Sequence, residues 1–257
     1  MQLWTFQHFI TLVPAALVMI IITYFLSRML KNQSYEVRMI PFKVLTVILL
    51  TSEVIKQVLS FMRGYDLYHI PLHVCSLFIF LMPLMAFYRG KGSNVIRTFA
   101  STVGMALTLF LTIYPNLIYS PDNIKNFFGS YFDFHTVFFH NVALFEFILI
   151  VGLKLHSTEG KKYDVKVLIG AATYSVVAAS MSQIIKVNFS NFYQCNVGPV
   201  YDFVNTLKES YGYLIGQTIY VVPLLILHIA FFYGAYKLYT LIEKLAKKLT
   251  KKELKNN

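Results

Sequence analysis

The stretch Tyr68-His69-Ile70-Pro71-Leu72-His73-Val74-Cys75-Ser76-Leu77 opens an apolar segment that runs on to residue 88. It lies where the chain passes from an aqueous surface into lipid, and two of its residues, His73 and Cys75, can do chemistry. Apolar segments of the same kind recur on both sides of it, giving seven in all: 8–30, 40–61, 70–88, 95–114, 132–153, 164–187 and 213–236. Each offers about the 20 residues a helix needs to cross roughly 30 Å of hydrocarbon. The expected fold is an all-α membrane protein, a bundle of seven transmembrane helices over residues 1–236 with a basic tail at 237–257.

Composition agrees with that reading. Of the 257 residues, 56% are hydrophobic and only 14% charged, and the mean hydropathy is +0.57. Soluble domains are far more polar, so a multi-pass protein of the cell membrane is expected. The run beginning near His8 lacks the basic n-region and cleavage site of a signal peptide and reads as a retained helix. A net charge of +11 raises the question of nucleic acid. The basic residues, however, gather at the ends of apolar segments, so orientation and anionic lipid account for them and no nucleic-acid partner is expected. Two cysteines, Cys75 and Cys195, are too few for a disulfide framework. Cys75 is expected as a free thiol, about 7 Å below the outer edge of its span.

The positions of the charges test the helix count, because an error of one would scramble them between the two sides. Arg28, Lys31, Arg38 and Lys43, then Arg89, Lys91 and Arg97, then Lys154, Lys161, Lys162 and Lys166, then the tail lysines fall on one side, 18 of the 23 basic residues. Only Arg63, Lys125, Lys186 and Lys208 fall on the other, with Lys56 inside a span. The N-terminus is therefore expected outside and the C-terminus in the cytoplasm, with the loop at 90–95 inside and that at 120–131 outside. In the tail, Leu241, Ile242, Leu245 and Leu249 stand at helical spacing among lysines, as an amphipathic extension on the inner leaflet or a solvated helix end. Ala171, Ser175 and Ala179, four apart, make a stripe for close helix packing. Two longer outer loops, 114–132 and 188–212, carry turn residues (Pro115, Pro121, Asn188, Asn191, Asn196, Pro199) and interfacial aromatics, and could cover an outward-opening site.

Ionisable residues inside spans are costly and usually face the bundle interior. Here they are Glu53 and Lys56 with Gln57, then His73 and Cys75, then His135, His140, Asn141 and Glu146, and last His228. Lys56, Gln57, His73, Cys75, His135 and His140 all lie within roughly 15 Å of the outer surface. His228, far along the last span, reads as a core histidine. Glu53 and Lys56, at i and i+3, are placed to neutralise one another. On a regular helix His73 and Cys75 point about 200° apart, and His135 and His140 about 140° apart, so at most one of the latter two faces the third span. Such divergence argues against a closed zinc site, which needs four converging ligands, and no metal is expected. A retinal protein needs a mid-membrane lysine in the last span, and 213–236 has none.

At Pro71-Leu72-His73-Val74-Cys75-Ser76-Leu77 and Phe134-His135-Thr136-Val137-Phe138-Phe139-His140-Asn141 the sequence resembles the bacterial YwaF family of integral membrane proteins, which is related to the animal transmembrane protein 164 acyltransferases. The resemblance implies a lipid acyltransferase whose catalytic cysteine and later intramembrane histidine fall on Cys75 and His140, with His73 and His135 supporting. An imidazole that takes a thiol proton makes the sulfur a competent acyl acceptor, and Gln57 or Asn141 would then serve as neutral donor to the developing oxyanion. Asn188 and Asn191 are the nearest counterparts of asparagines that recur in the family before the last span, at a compressed spacing. Membrane lipids are the implied acyl donor and acceptor, and no cofactor is expected. The alternative is a non-enzymatic transporter, channel or receptor-like bundle whose polar residues line a ligand pocket.

Overall fold

The computed structural model describes residues 6–113, 118–119, 127–158, 163–195 and 197–256. Pro115, Pro121, Lys125, Lys161, Lys162 and Asn196, and most of the 120–131 loop, lie outside them. Among the described residues all regular structure is helical: α1 Phe6–Met29, α2 Tyr35–Arg38, α3 Ile40–Met62, α4 Leu77–Phe87, α5 Ser93–Ile113, α6 Tyr131–Gly152, α7 Asp164–Ile185, α8 Gly198–Tyr211 and α9 Tyr213–Asn256. Six stretches are long and apolar enough to cross a membrane, namely α1, α2 joined to α3, α5, α6, α7 and α9.

The segment expected as a third regular span, 70–88, departs from that expectation. Only its second half is α-helix, 11 residues or about 17 Å. Ahead of it stand two 3-10 turns, Leu67–His69 and Val74–Ser76, separated by extended chain. Pro71 is the cause, since it disfavours helical backbone at Ile70, which is extended with ψ 129°. His73 is extended too, with ψ 156°. Non-helical backbone at membrane depth persists only where protein satisfies its polar groups. Here the Leu72 carbonyl accepts from the Tyr174 hydroxyl at 3.0 Å, and the His69 carbonyl accepts from Gln57 Nε2 at 2.8 Å. The segment nonetheless runs the length of α3. His69 meets Ser60 near one end of that helix, and Arg89 meets Glu36 of α2, the short helix that leads into its other end.

α5 stands at the centre, packed on α4, α6, α7 and α9. Its buried small residues, Ala100, Ser101, Gly104 and Ala106, let the neighbouring backbones approach, which is how helices pack where lipid supplies no hydrophobic drive. A Cβ at Gly104 would run into the Phe147 ring of α6. Gly104→Leu should therefore lower stability by about 1–3 kcal/mol, read as an earlier thermal midpoint in detergent. A midpoint equal to wild type would mean that α5 and α6 do not meet there. The expected small-residue stripe on α7 is buried at Ala171, Ser175 and Ala179, where that helix packs on α9 and α5. α1 packs chiefly on α6 and exposes Leu17, Val18, Ile21 and Phe25.

The last helix continues unbroken to Asn256, so the tail expected as an amphipathic extension or a solvated helix end is helical, with no turn between span and tail. Glu243 fastens it to the loop after α6 by accepting from the Thr158 backbone at 2.9 Å and from the Thr158 hydroxyl. The outer loop 188–212 holds a helix of its own, α8, started by Gly198 and Pro199, residues that read as a turn but suit the first helical positions. Before α8 the chain dips inward and buries Phe189 and Phe192 completely.

Candidate active site

Glu53 organises the C-terminal half of α3. It is 5% exposed, and its carboxylate meets Lys56 Nζ at 2.7 Å, accepts from Gln57 Nε2 at 2.7 Å, and lies 3.1 Å from His135 Nε2 in ion-pair contact. The ion pair expected from the i, i+3 spacing is present, and α6 adds His135 to it. Gln57 extends the network, donating also to the His69 carbonyl and accepting from the Tyr65 hydroxyl at 2.9 Å. The Ser60 hydroxyl closes it at 2.6 Å from His69 Nδ1, and the His69 ring stacks on Phe132. This network pins the irregular 65–70 segment to α3.

Cys75 follows directly. It sits in the 3-10 turn that leads into α4, partly buried against the core, and both it and Cys195 are free thiols. The first N–H groups of a helix have no intrahelical acceptor, and Val74 and Cys75 occupy those positions. Lys56 and Glu53 lie within electrostatic range of the thiol, as do the phenols of Tyr68, Tyr119 and Tyr174. Because His73 is outside the helix, the 200° divergence expected for a regular turn does not govern it. Its ring packs between Tyr68, at 4.5 Å, and Phe189 of the inward-dipping loop, at 5.3 Å.

His140 lies buried on α6, its ring between Tyr119 and Phe139. Its Nδ1 is 2.6 Å from the Thr136 carbonyl, and a carbonyl can only accept, so Nδ1 carries the proton. Nε2 is then a bare lone pair, buried and without a hydrogen-bond partner. The Tyr119 ring stands edge-on to the imidazole at 5.6 Å, so Tyr119 neighbours both His140 and Cys75. A direct contact of about 3 to 4 Å between Cys75 and His140, the geometry a nucleophile and base would show, is not formed at rest. No hydrogen bond joins them, and Nε2 is buried and unpartnered.

The remaining candidates sort by what they already touch. His135 is committed to Glu53. Gln57 and Asn141, expected as oxyanion donors, are both otherwise engaged: Gln57 in the Glu53 network and Asn141 donating to the Val137 carbonyl one turn back at 2.8 Å. Asn188 caps its own loop, accepting from the backbones of Tyr193 and Gln194, while Asn191 is in left-handed backbone with φ 65°. His228 packs among Tyr174, Phe192 and Phe232, as a core histidine does. Among the described residues no three His, Cys, Asp or Glu side chains group as a metal site. Tyr119 and Tyr174 were not legible as site residues. Tyr119 falls in a stretch that reads as interfacial belt, and Tyr174 reaches the site through a hydroxyl contact across 102 positions of chain.

Six long apolar helices among the described residues define a multi-pass helical membrane protein. The chain belongs to the TMEM164 family, whose family model matches residues 3–233. No curated protein and no solved structure matches it.

Proposed function

We propose that the protein is a membrane lipid acyltransferase in which Cys75 accepts the acyl group and His140 is its general base. The observation that carries this reading is the bare Nε2 of His140, held in that tautomer by Thr136 and buried without a partner, with Tyr119 packed on its ring and within electrostatic range of Cys75. Membership of the TMEM164 family and the resemblance to the acyltransferases at both motifs support it. The Cys75 thiol gives its proton to His140 Nε2 as the sulfur attacks the ester carbonyl of a lipid. The tetrahedral oxyanion draws on backbone N–H groups of the turn that leads into α4, and the departing lipid alkoxide takes the proton back from His140. That leaves a Cys75 thioester, which the hydroxyl of an acceptor lipid resolves by the same steps in reverse. A small movement that brings Sγ and Nε2 within reach must precede attack, as catalytic contacts often tighten only with substrate bound. To test this, the purified protein is incubated with a phospholipid carrying an alkynyl acyl chain and then quenched in acid. A hydroxylamine-sensitive acyl mark on Cys75 is expected, and the same amount of mark on Cys75→Ala would defeat the reading.

We also place seven crossings in the membrane, the seventh being α4 with its irregular lead-in, with the basic end of the bundle cytoplasmic. Single cysteines at Ser93 and Glu209, in a protein lacking Cys75 and Cys195, should report this. An impermeant maleimide added outside is expected to label position 209 and spare 93. The reverse pattern would invert the orientation.

A further inference from the structure

The end of the bundle remote from Cys75 carries a second feature. α1 and α6 enclose between them a groove of about 360 Å³ with almost wholly apolar walls, lined by Ile20, Thr23 and Ser27 on one side and Phe147, Val151 and Gly152 on the other. That volume lies in the range of ligand sites. The helices touch where Thr23 meets Gly152, a contact that leaves no room for a Cβ. Thr23 is only 4% exposed, yet its hydroxyl has no hydrogen-bond partner.

At the mouth of the groove, the residue after Gly152 fixes an arginine: the Leu153 carbonyl accepts from Arg38 Nη1 at 3.1 Å. Arg97 stands over the Tyr35 ring at 5.1 Å and Arg89 at 5.9 Å. The carboxylate that faces this group, Glu36, is already occupied by Arg89, at 3.1 and 3.2 Å, and by Lys43, at 3.0 Å. Arg38 and Arg97 therefore have no carboxylate partner among the described residues, and the buried Nε of each, with the buried Tyr35 hydroxyl, lacks any hydrogen bond. Guanidinium groups with shielded donors want an anion that matches their fork, and phosphate is such a group.

We propose that this is a binding site for one anionic phospholipid, its acyl chain in the α1/α6 groove and its phosphate between Arg38 and Arg97. The adjoining groove selects a lipid over a soluble phosphate. The two uncompensated positive charges, with no spare carboxylate for a choline or ethanolamine head, select an anionic lipid over a zwitterionic one. The Thr23 hydroxyl lies on the path of the chain toward its ester.

Purified protein in neutral detergent tests it with added dioleoyl phosphatidylglycerol, dioleoyl phosphatidylcholine or glycerol phosphate, read by thermal midpoint and by lipid retained in native mass spectrometry. Phosphatidylglycerol is expected to raise the midpoint by about 3 °C or more and to be retained one to one, while the other two do neither. Arg38→Gln with Arg97→Gln should weaken retention at least about tenfold, and Ser27→Phe, which fills the groove and leaves the arginines in place, should do the same. Protection by glycerol phosphate equal to that by phosphatidylglycerol would make the site one for soluble anions and overturn the lipid assignment. Undiminished retention in either variant would overturn it as well, and if the double variant does not fold, Ser27→Phe decides alone.

Discussion

Cys75→Ala is expected to lower acyl transfer by on the order of 10⁶, the scale lost when a nucleophile is removed from a thiol or serine enzyme. His140→Gln should lower it by about 10²–10⁴, the scale of a general base. The two losses should not add, because a base has nothing to activate once its nucleophile is gone, so the double variant should match Cys75→Ala. Tyr119→Phe keeps the ring against His140 and removes only the hydroxyl; its rate separates a packing partner from a proton donor. The measurement is single-turnover acylation with a labelled phospholipid, with thermal midpoints as the check on folding. Acyl transfer that survives in both Cys75→Ala and His140→Ala would make these polar residues structural.

The largest loss of stability is expected from Glu53→Gln, because the change leaves the half-buried Lys56 without its counter-ion and the buried His135 without its carboxylate partner. Breaking one partner of a buried pair costs about 3–5 kcal/mol, most of it from the stranded charge. The same reasoning gives the control. Glu53→Gln combined with Lys56→Met removes both members of the pair, and this variant should recover a large part of the loss, since an apolar replacement of a buried pair is often near neutral. Thermal unfolding of the singles and the double closes the cycle. A double variant less stable than Glu53→Gln would show that Lys56 has another partner. Because Gln57 and His69 hang from the same carboxylate, the single variant should also loosen residues 65–76, seen as faster amide exchange there than in α5.

Hydropathy and charge position carry most of the fold, and the reason is physical: lipid forces every backbone polar group into a helix, so an apolar run of sufficient length has one outcome. Glu53 with Lys56, and the Ala171-Ser175-Ala179 stripe, were readable for a similar reason, because helical spacing alone brings them to one face. What hydropathy could not convey is where tertiary contacts override that constraint. Residues 70–76 are as apolar as a span, yet they unwind because Tyr174 and Gln57 supply the hydrogen bonds a helix would have supplied. The facing rule showed that His135 and His140 diverge. It did not show which was which, because that depends on the rotation of α6 against α3, visible only when His135 meets Glu53. Gln57 and Asn141 looked free because their acceptors, a carboxylate across the network and a carbonyl one turn back, are a matter of rotamer. Asn-rich chain around 188–199, ending in Gly198-Pro199, hid the start of α8 for the opposite reason: turn residues also begin helices.

The unbroken α9 has a practical use. At 44 residues and 1.5 Å per residue it is about 66 Å long, roughly twice the thickness of the hydrocarbon layer, and Glu243 holds it at the loop after α6. A small helical membrane protein offers electron microscopy little that stands clear of its detergent belt. Here a helical scaffold domain spliced in register after Lys248 would inherit its direction from the bundle itself, a rigid beacon for aligning particles that a flexible linker could not provide.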